Sequence, residues 1–263
     1  MQDPWLDAVI DRLDRSEKPT IAAIHGTALG GGLETALGCH YRLAVPSAKL
    51  GLPEVHLGII PGAGGTQRLP RVVGVEAAVK MIASGTPISA KEANALGLVD
   101  ALVEGDLLEG ALAYAQQLVQ EGLGPRSIRE LPRPSASAEV FEKVRQEFSV
   151  SKRGFESPQR AIDAVEVATQ TDLETGLQKE KEIFFACLVS TQSQAQRHLF
   201  FAERRASKVD DVPEHTPAQE IRSAAVIGAG TMGGGIAMNF ANAGIPVYLL
   251  DATQDGLDKG IAT

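Results

Sequence analysis

KPTIAAIHGTALGGGLETALGCHYRLA, residues 18–44, decides how this chain is read. A short apolar run at 20–24, preceded by Pro19, reads as a buried strand. It leads into glycine: Gly26, then Gly30, Gly31 and Gly32 in succession, ahead of a helical pattern over 31–39. A second strand-like run follows at 41–45. Strand, glycine turn, helix and strand in that order predict an α/β fold. The turn has chemical content too. Three glycines at a strand-to-helix junction leave backbone N–H groups open to a ligand, and the positive end of the helix lies beside them. An oxyanion site is built this way. Glu34, three residues after Gly31, sets a carboxylate one helical turn away, and Glu54, in GLPE ahead of the glycines of PGAGG, is a second candidate acid. On spacing alone the preferred reading is the ordinary one, Glu34 a first-turn residue favoured by the helix dipole and Glu54 a loop charge.

Outward from this stretch, 4–15 predicts an amphipathic helix and 51–70, rich in glycine and proline, a loop with short elements. Val75–Ser84 reads as a helix stopped by Gly85. Ser89 and Glu92 form a capping box for a short helix ending at Gly97, and 98–103 reads as a strand. Leu107–Gln120 is amphipathic and runs into 121–137, whose three prolines mark a linker. Beyond it Ser157 with Pro158 opens a helix, Thr171 with Glu174 forms a second capping box, and Ser190 caps a third helix. Leu177, Phe184 and Leu188 share one stripe and Ala195, Leu199 and Ala202 another, so both are expected to pack on a core. VDDVPEHTPAQE, 209–220, reads as a tether.

Hydrophobic residues make up 44% and charged residues 22%, which excludes a disordered or collagenous chain. The net charge of −8, without a dense basic cluster, argues against nucleic acid and anionic membranes as partners. Cys39 and Cys187 lack any ligand spacing and predict buried thiols in a reducing compartment. With neither a secretory leader nor a membrane span in the pattern, the expectation is a soluble intracellular protein, cytoplasmic or alternatively peroxisomal. His25, His40, His56, His198 and His215 follow no metal-ligand spacing, so no metal is expected.

The last segment is a nucleotide signature. A strand at Ala224–Ile227, glycines at Gly228, Gly230 and Gly233 in G-x-G-x-x-G spacing, a helix over 231–243 and a second strand at 246–250 ending in Asp251 form the first βαβ part of a Rossmann domain. Gly228 permits the tight turn, Gly230 the approach of a pyrophosphate, and Gly233 close helix–strand packing. Asp251, 23 positions after Gly228, is placed for the ribose hydroxyls and favours NAD over NADP.

The run quoted at the outset, continuing through GLPEVHLGIIPGAGGTQRLPRVVG and ISAKEANALGLVD, closely resembles the enoyl-CoA hydratase/isomerase (crotonase) family. VIGAGTMGGGIA is similar to the start of the 3-hydroxyacyl-CoA dehydrogenase NAD domain, and the helical block between resembles the linker of bifunctional fatty-acid β-oxidation enzymes. The resemblance implies three parts: a partial crotonase domain (ClpP-like spiral) at 1–120, a linker and helical segment at 121–220, and the NAD-domain start at 221–263. It also implies roles. Gly31 would bind the thioester oxygen through its N–H, Glu34 activate water, and Glu54 exchange the Cα proton. Gly62 would lie beside the catalytic water. The substrate would be a trans-2-enoyl-CoA thioester, hydrated to the 3-hydroxyacyl-CoA, with a 3-to-2 double-bond shift as a further activity and NAD-dependent oxidation as the coupled step. A homo-oligomer or a thiolase partner is left open.

In the crotonase family a preceding segment supplies the second oxyanion N–H and much of the CoA surface. The dehydrogenase acid–base pair lies beyond the present C-terminus. The expectation is a piece truncated at both ends, with a fragment that only binds CoA ligands or partner subunits as the alternative.

Overall fold

The computed structural model describes residues 6–206, 208–209, 211–213 and 215–262. The chain divides into two compact units, residues 1–207 and 208–263.

In the first unit α1 (Leu6–Asp14) leads to β1 (Ile21–Ile24), β2 (Thr27–Leu29), α2 (Gly31–Gly38), β3 (Tyr41–Ala44) and β4 (Lys49–Gly51). Residues 4 and 5 of the expected first helix lie outside the described residues. A 3₁₀ turn, Glu54–Leu57, precedes α3 (Gly65–Val73), α4 (Val75–Ser84), β5 (Ile88–Ser89), α5 (Ala90–Ala95), β6 (Ala101–Leu102) and α6 (Leu107–Gln120). After a second 3₁₀ turn, Ile128–Glu130, come α7 (Ala138–Ser151), α8 (Ser157–Gln170), α9 (Leu173–Leu188) and α10 (Thr191–Ala206).

Two small sheets carry the strands. β1, β3 and β6 form one, all parallel, with Ile21 opposite Tyr41 and Leu43 opposite Ala101. β2, β4 and β5 form the other, parallel then antiparallel. β1 and β2 thus feed different sheets across Gly26, whose φ of +78° suits glycine. β3 is buried along its whole length, as a strand covered on both faces must be. Against the sheets, α4 packs on α8 and α3 on α8 and α9. The core joins Leu33 and Leu37 of α2 to Val79 and Ile82 of α4 and to Ile162 and Val165 of α8.

Several elements depart from expectation. The 51–70 stretch takes in the last residue of β4, the first 3₁₀ turn and the first six residues of the nine-residue α3, with Pro70 inside the helix. Its polar residues Thr66, Gln67 and Arg68 are buried; Thr66 and Gln67 Nε2 bond to partners distant in sequence and Arg68 pairs with Asp14, while Gln67 Oε1 and Arg68 Nε have no hydrogen-bond partner. The 98–103 strand contracts to Ala101–Leu102, the length that pairs with β3. α7, unread in the sequence, buries Phe141, Val144 and Phe148 at helical spacing. Ser157 does not cap α8, because its hydroxyl donates to the Val55 carbonyl across the core (3.0 Å). α9 is capped by Asp172, which accepts the Thr175 N–H (2.9 Å), while the Thr171 hydroxyl turns back to the Val167 carbonyl. Ser190 does cap α10, accepting the Ser193 N–H. The second stripe is not core: Ala195 is exposed and Leu199 is 57% exposed.

The second unit is β7 (Ala224–Ile227), α11 (Thr231–Asn242), β8 (Val247–Leu250) and α12 (Gln254–Ala262). β7 and β8 are parallel, Ala224 opposite Val247 through Ile227 opposite Leu250. Among the described residues no helix is long and apolar enough to cross a membrane.

Candidate functional site

β2 hands over to α2 at Gly30, which has φ +56° and donates its N–H to the Gly51 carbonyl (3.0 Å). A side chain at position 30 would be strained, and its Cβ would lie 3.0 Å from Glu54 Oε1. Glycine here admits a carboxylate to the turn. Gly31 opens α2, so its N–H belongs to the first-turn donors that the helix itself cannot use.

Glu34, in the same first turn, is 3% exposed. Its Oε1 accepts the Ala63 N–H (2.8 Å) and the Gly65 N–H (2.9 Å). Burial raises its pKa above the ordinary carboxylate value, opposed by those two N–H groups and by Arg68. Glu54 opens the 3₁₀ turn. Its Oε2 is buried with no hydrogen-bond partner, a state that native proteins seldom leave without purpose. Burial first, and the Glu34 charge second, push Glu54 up to about 8. It is therefore poised between acid and base near neutral pH.

The loop running into α3 is held from two sides. Gly62 lies under the Phe184 ring of α9, where a Cβ would approach to 2.6 Å. Gly64 takes φ +103°, and a Cβ on Gly65 would press on Pro61, Leu52 and Glu34 Oε1. On the side away from Glu34, Glu180 of α9 accepts the Gly64 N–H (2.6 Å) on Oε1, and on Oε2 the Thr66 N–H (2.8 Å) and hydroxyl (2.5 Å). Glu180 is 1% exposed and is raised to about 8 by burial and by Glu34. Sequence reasoning missed it. The available signal was a glutamate in register with Leu173, Gly176 and Cys187 on the buried stripe of α9.

A cavity of about 320 Å³ opens on the α1 and α9 side of this loop, lined by Gly62, Gly64, Glu180 and the cations Arg68, Arg129 and Lys181 among others. Glu34 and Glu54 are not in its wall. Arg68 is itself buried and pairs with Asp14 at 3.6 Å. His40 is buried against Thr20 and the Asp14 carbonyl, while His25, His198 and His215 are exposed. Among the described residues no cluster of three or more His, Cys, Asp or Glu side chains could hold a metal.

In the second unit Gly228 has φ +103° and donates its N–H to the Leu250 carbonyl (2.7 Å). A Cβ on Gly233 would collide with the Gly228 carbonyl oxygen, so glycine alone lets α11 close on the turn. Gly230 caps α11 with open space around it. Asp251, at the end of β8, accepts the Ala229 N–H (2.8 Å) and the Thr253 N–H (3.2 Å), which hold its carboxyl below the usual range and therefore charged. An open glycine turn at a helix N-terminus beside a charged carboxylate fits a dinucleotide's pyrophosphate and ribose.

The first unit has a counterpart among known proteins. Residues 3–159 match the profile described as enoyl-CoA hydratase/isomerase. The chain belongs to that family. Residues 223–263 of this hydratase/isomerase family member also match the NAD binding domain of 3-hydroxyacyl-CoA dehydrogenase. The peroxisomal bifunctional enzyme of Cavia porcellus is 42% identical over 265 residues, covering 96% of this chain and 36% of that protein. The one from Homo sapiens is 42% identical over 262 residues with the same coverage. The chain thus spans little more than a third of these curated relatives. The crystal structure of an enoyl-CoA hydratase from Bacillus anthracis is 33% identical, covers 75% of this chain and 65% of that one, and superposes with a TM-score of 0.43.

Proposed function

We propose that the first unit hydrates trans-2-enoyl-CoA thioesters to 3-hydroxyacyl-CoA. Addition of water builds negative charge on the thioester oxygen, and the Gly31 N–H at the start of α2 is the donor that meets it. Glu34, fixed by two amides on Oε1, activates the water, and Gly62 lies beside that water. Glu54, whose partnerless Oε2 awaits a proton, exchanges it with Cα. A 3-to-2 double-bond shift adds no water and would need mainly Glu54. The observation that carries this function is the meeting of Glu54 with the Gly30–Gly31 turn while Glu34 is bound to the loop opposite.

The second unit supports binding of NAD, with Gly228, Gly230 and Gly233 at the pyrophosphate and Asp251 at the ribose. NAD, when bound, accepts hydride from a 3-hydroxyacyl group; this chain's share is to hold and orient it. In functional terms we divide the chain into a hydratase/isomerase part at 1–120, a helical segment at 121–220 and a dinucleotide part at 221–263. Of the two compartments considered, the relatives' names favour the peroxisome.

Single Glu34→Gln and Glu54→Gln variants, assayed for crotonyl-CoA hydration and for 3-to-2 isomerisation, test the roles. Each should lose about 10² to 10⁴ in hydration rate with substrate affinity little changed. Glu54→Gln should abolish isomerisation and Glu34→Gln retain much of it. Hydration within threefold of wild type for both variants would return Glu34 to a helix-dipole role and Glu54 to a loop charge.

A further inference from the structure

Four successive amides at the start of α3 alternate between two carboxylates. Ala63 and Gly65 donate to Glu34 of α2, and Gly64 and Thr66 donate to Glu180 of α9. The N-terminal amides of a helix lack intrahelical partners, and here glutamates from two distant segments, α2 and α9, take them. Because the amides are covalently consecutive, the peptide planes that aim Ala63 and Gly65 at Glu34 are joined at shared Cα atoms to the planes that Glu180 grips. Both bonds to Glu34 fall on Oε1, which fixes its carboxylate rotation and leaves Oε2 for a water.

We propose that Glu180 is a positioning residue of the hydration site, one that keeps Glu34 oriented by clamping the Gly64 and Thr66 amides from the helical segment. This rests on the reading of Glu34 as the water-activating base. The Thr66 hydroxyl is part of the device. It donates to Glu180 Oε2 and accepts from Gln67 Nε2 (2.9 Å), which in turn reaches the Ala164 carbonyl (2.8 Å). The clamp is thereby tied to α8. Among the described residues no cation bonds Glu180 directly. Its facing ionisable groups are Glu34 of α2 and Glu54 of the 3₁₀ turn, and Arg68, Arg129, Glu174 and Lys181 line the neighbouring cavity.

Glu180→Gln in the full chain is the test. Glutamine keeps the shape, but its amide donor would face one of the two backbone N–H groups. Three readouts are expected to move together. Hydrogen exchange at Ala63 and Gly65, which Glu180 does not touch, should accelerate about tenfold or more while the melting temperature changes little. Crotonyl-CoA hydration should lose about 10- to 100-fold in kcat with KM within about threefold, the size expected from a small displacement of a catalytic group. The ¹³C carboxyl titration of Glu54 should move to lower pH, because the Glu180 charge is one of the causes that raise it. Thr66→Val should reproduce the exchange effect in part and Thr66→Ser restore it, which decides the matter should Glu180→Gln fail to fold. Wild-type exchange at Ala63 and Gly65 together with an unmoved Glu54 titration would overturn the proposal, whatever happens at Gly64 and Thr66. If instead Glu34→Gln retains hydration, the assignment of Glu34 as base falls, while the exchange and titration results still decide the clamp.

Discussion

Replacing Glu54 by glutamine should stabilise this protein at high pH, do nothing at low pH, and destroy its chemistry. The sign follows from the direction of the shift. Glu54 is raised from an ordinary 4.5 to about 8, so between those values the folded state holds a proton that the unfolded chain has released. Stability therefore falls as pH rises through that window, and above about 8 the folded protein carries the whole cost of a buried, poorly solvated charge. The gap between 4.5 and about 8 corresponds to at most about 5 kcal/mol, and partial solvent access and relaxation reduce this to about 2 kcal/mol. For a unit of this size that is a rise of about 4–8 °C in melting temperature. Urea and thermal melts of wild type and Glu54→Gln, followed by helical circular dichroism at pH 5 and pH 9, measure it. The two proteins should coincide at pH 5 and separate at pH 9. An equal difference at both pH values would show that Glu54 is not held as a raised, buried acid, and with it the poised acid–base role would go. The same stored cost connects stability to function, because a site that needs a partnerless carboxylate cannot also be at its stability optimum.

Gly65→Ala places a Cβ 2.8 Å from Pro61 and 2.9 Å from Glu34 Oε1, so it should lower stability by about 1–3 kcal/mol and reduce hydration through Glu34; an unfolding midpoint and rate equal to wild type would refute the packing described. Gly233→Ala should abolish NAD binding measured by calorimetry, since its Cβ meets the Gly228 carbonyl. Gly235→Ala, in open space on the same helix, should leave binding intact and strengthen α11 by about 1 kcal/mol.

Local signals are where the sequence is legible. Val75–Ser84 and Leu107–Gln120 read as helices to the residue, because Gly85 adopts the left-handed cap and Asp106 takes the Glu109 N–H. Glu34 and Glu54 stand out as candidates beside their glycines, and the structure shows where each goes. Contacts between distant segments are not legible. α3 hides among glycines and a proline since its buried polar residues find their partners on α1, α8 and α9. Thr171 and Asp172 are adjacent residues of equal capping chemistry, and the register of α9 chooses the second. Leu199 and Phe201 carry an apolar pattern, yet both are exposed. Glu180 is the clearest case: a charged residue at a core position betrays a buried partner, but nothing local names a loop 116 residues earlier.

That separation bears on how the protein is made. A ribosome delivers Glu34, Glu54 and every glycine of the turn long before it delivers α9. Until then the Gly64 and Thr66 amides lack their acceptor, and Phe184 is not yet over Gly62. Contacts spanning so much chain close late, since the loop-closure entropy must be overcome first. The nascent protein thus passes through a stage in which Glu34 and Glu54 are both present and the loop running into α3 is gripped from one side only. Closing that loop waits on the docking of α9.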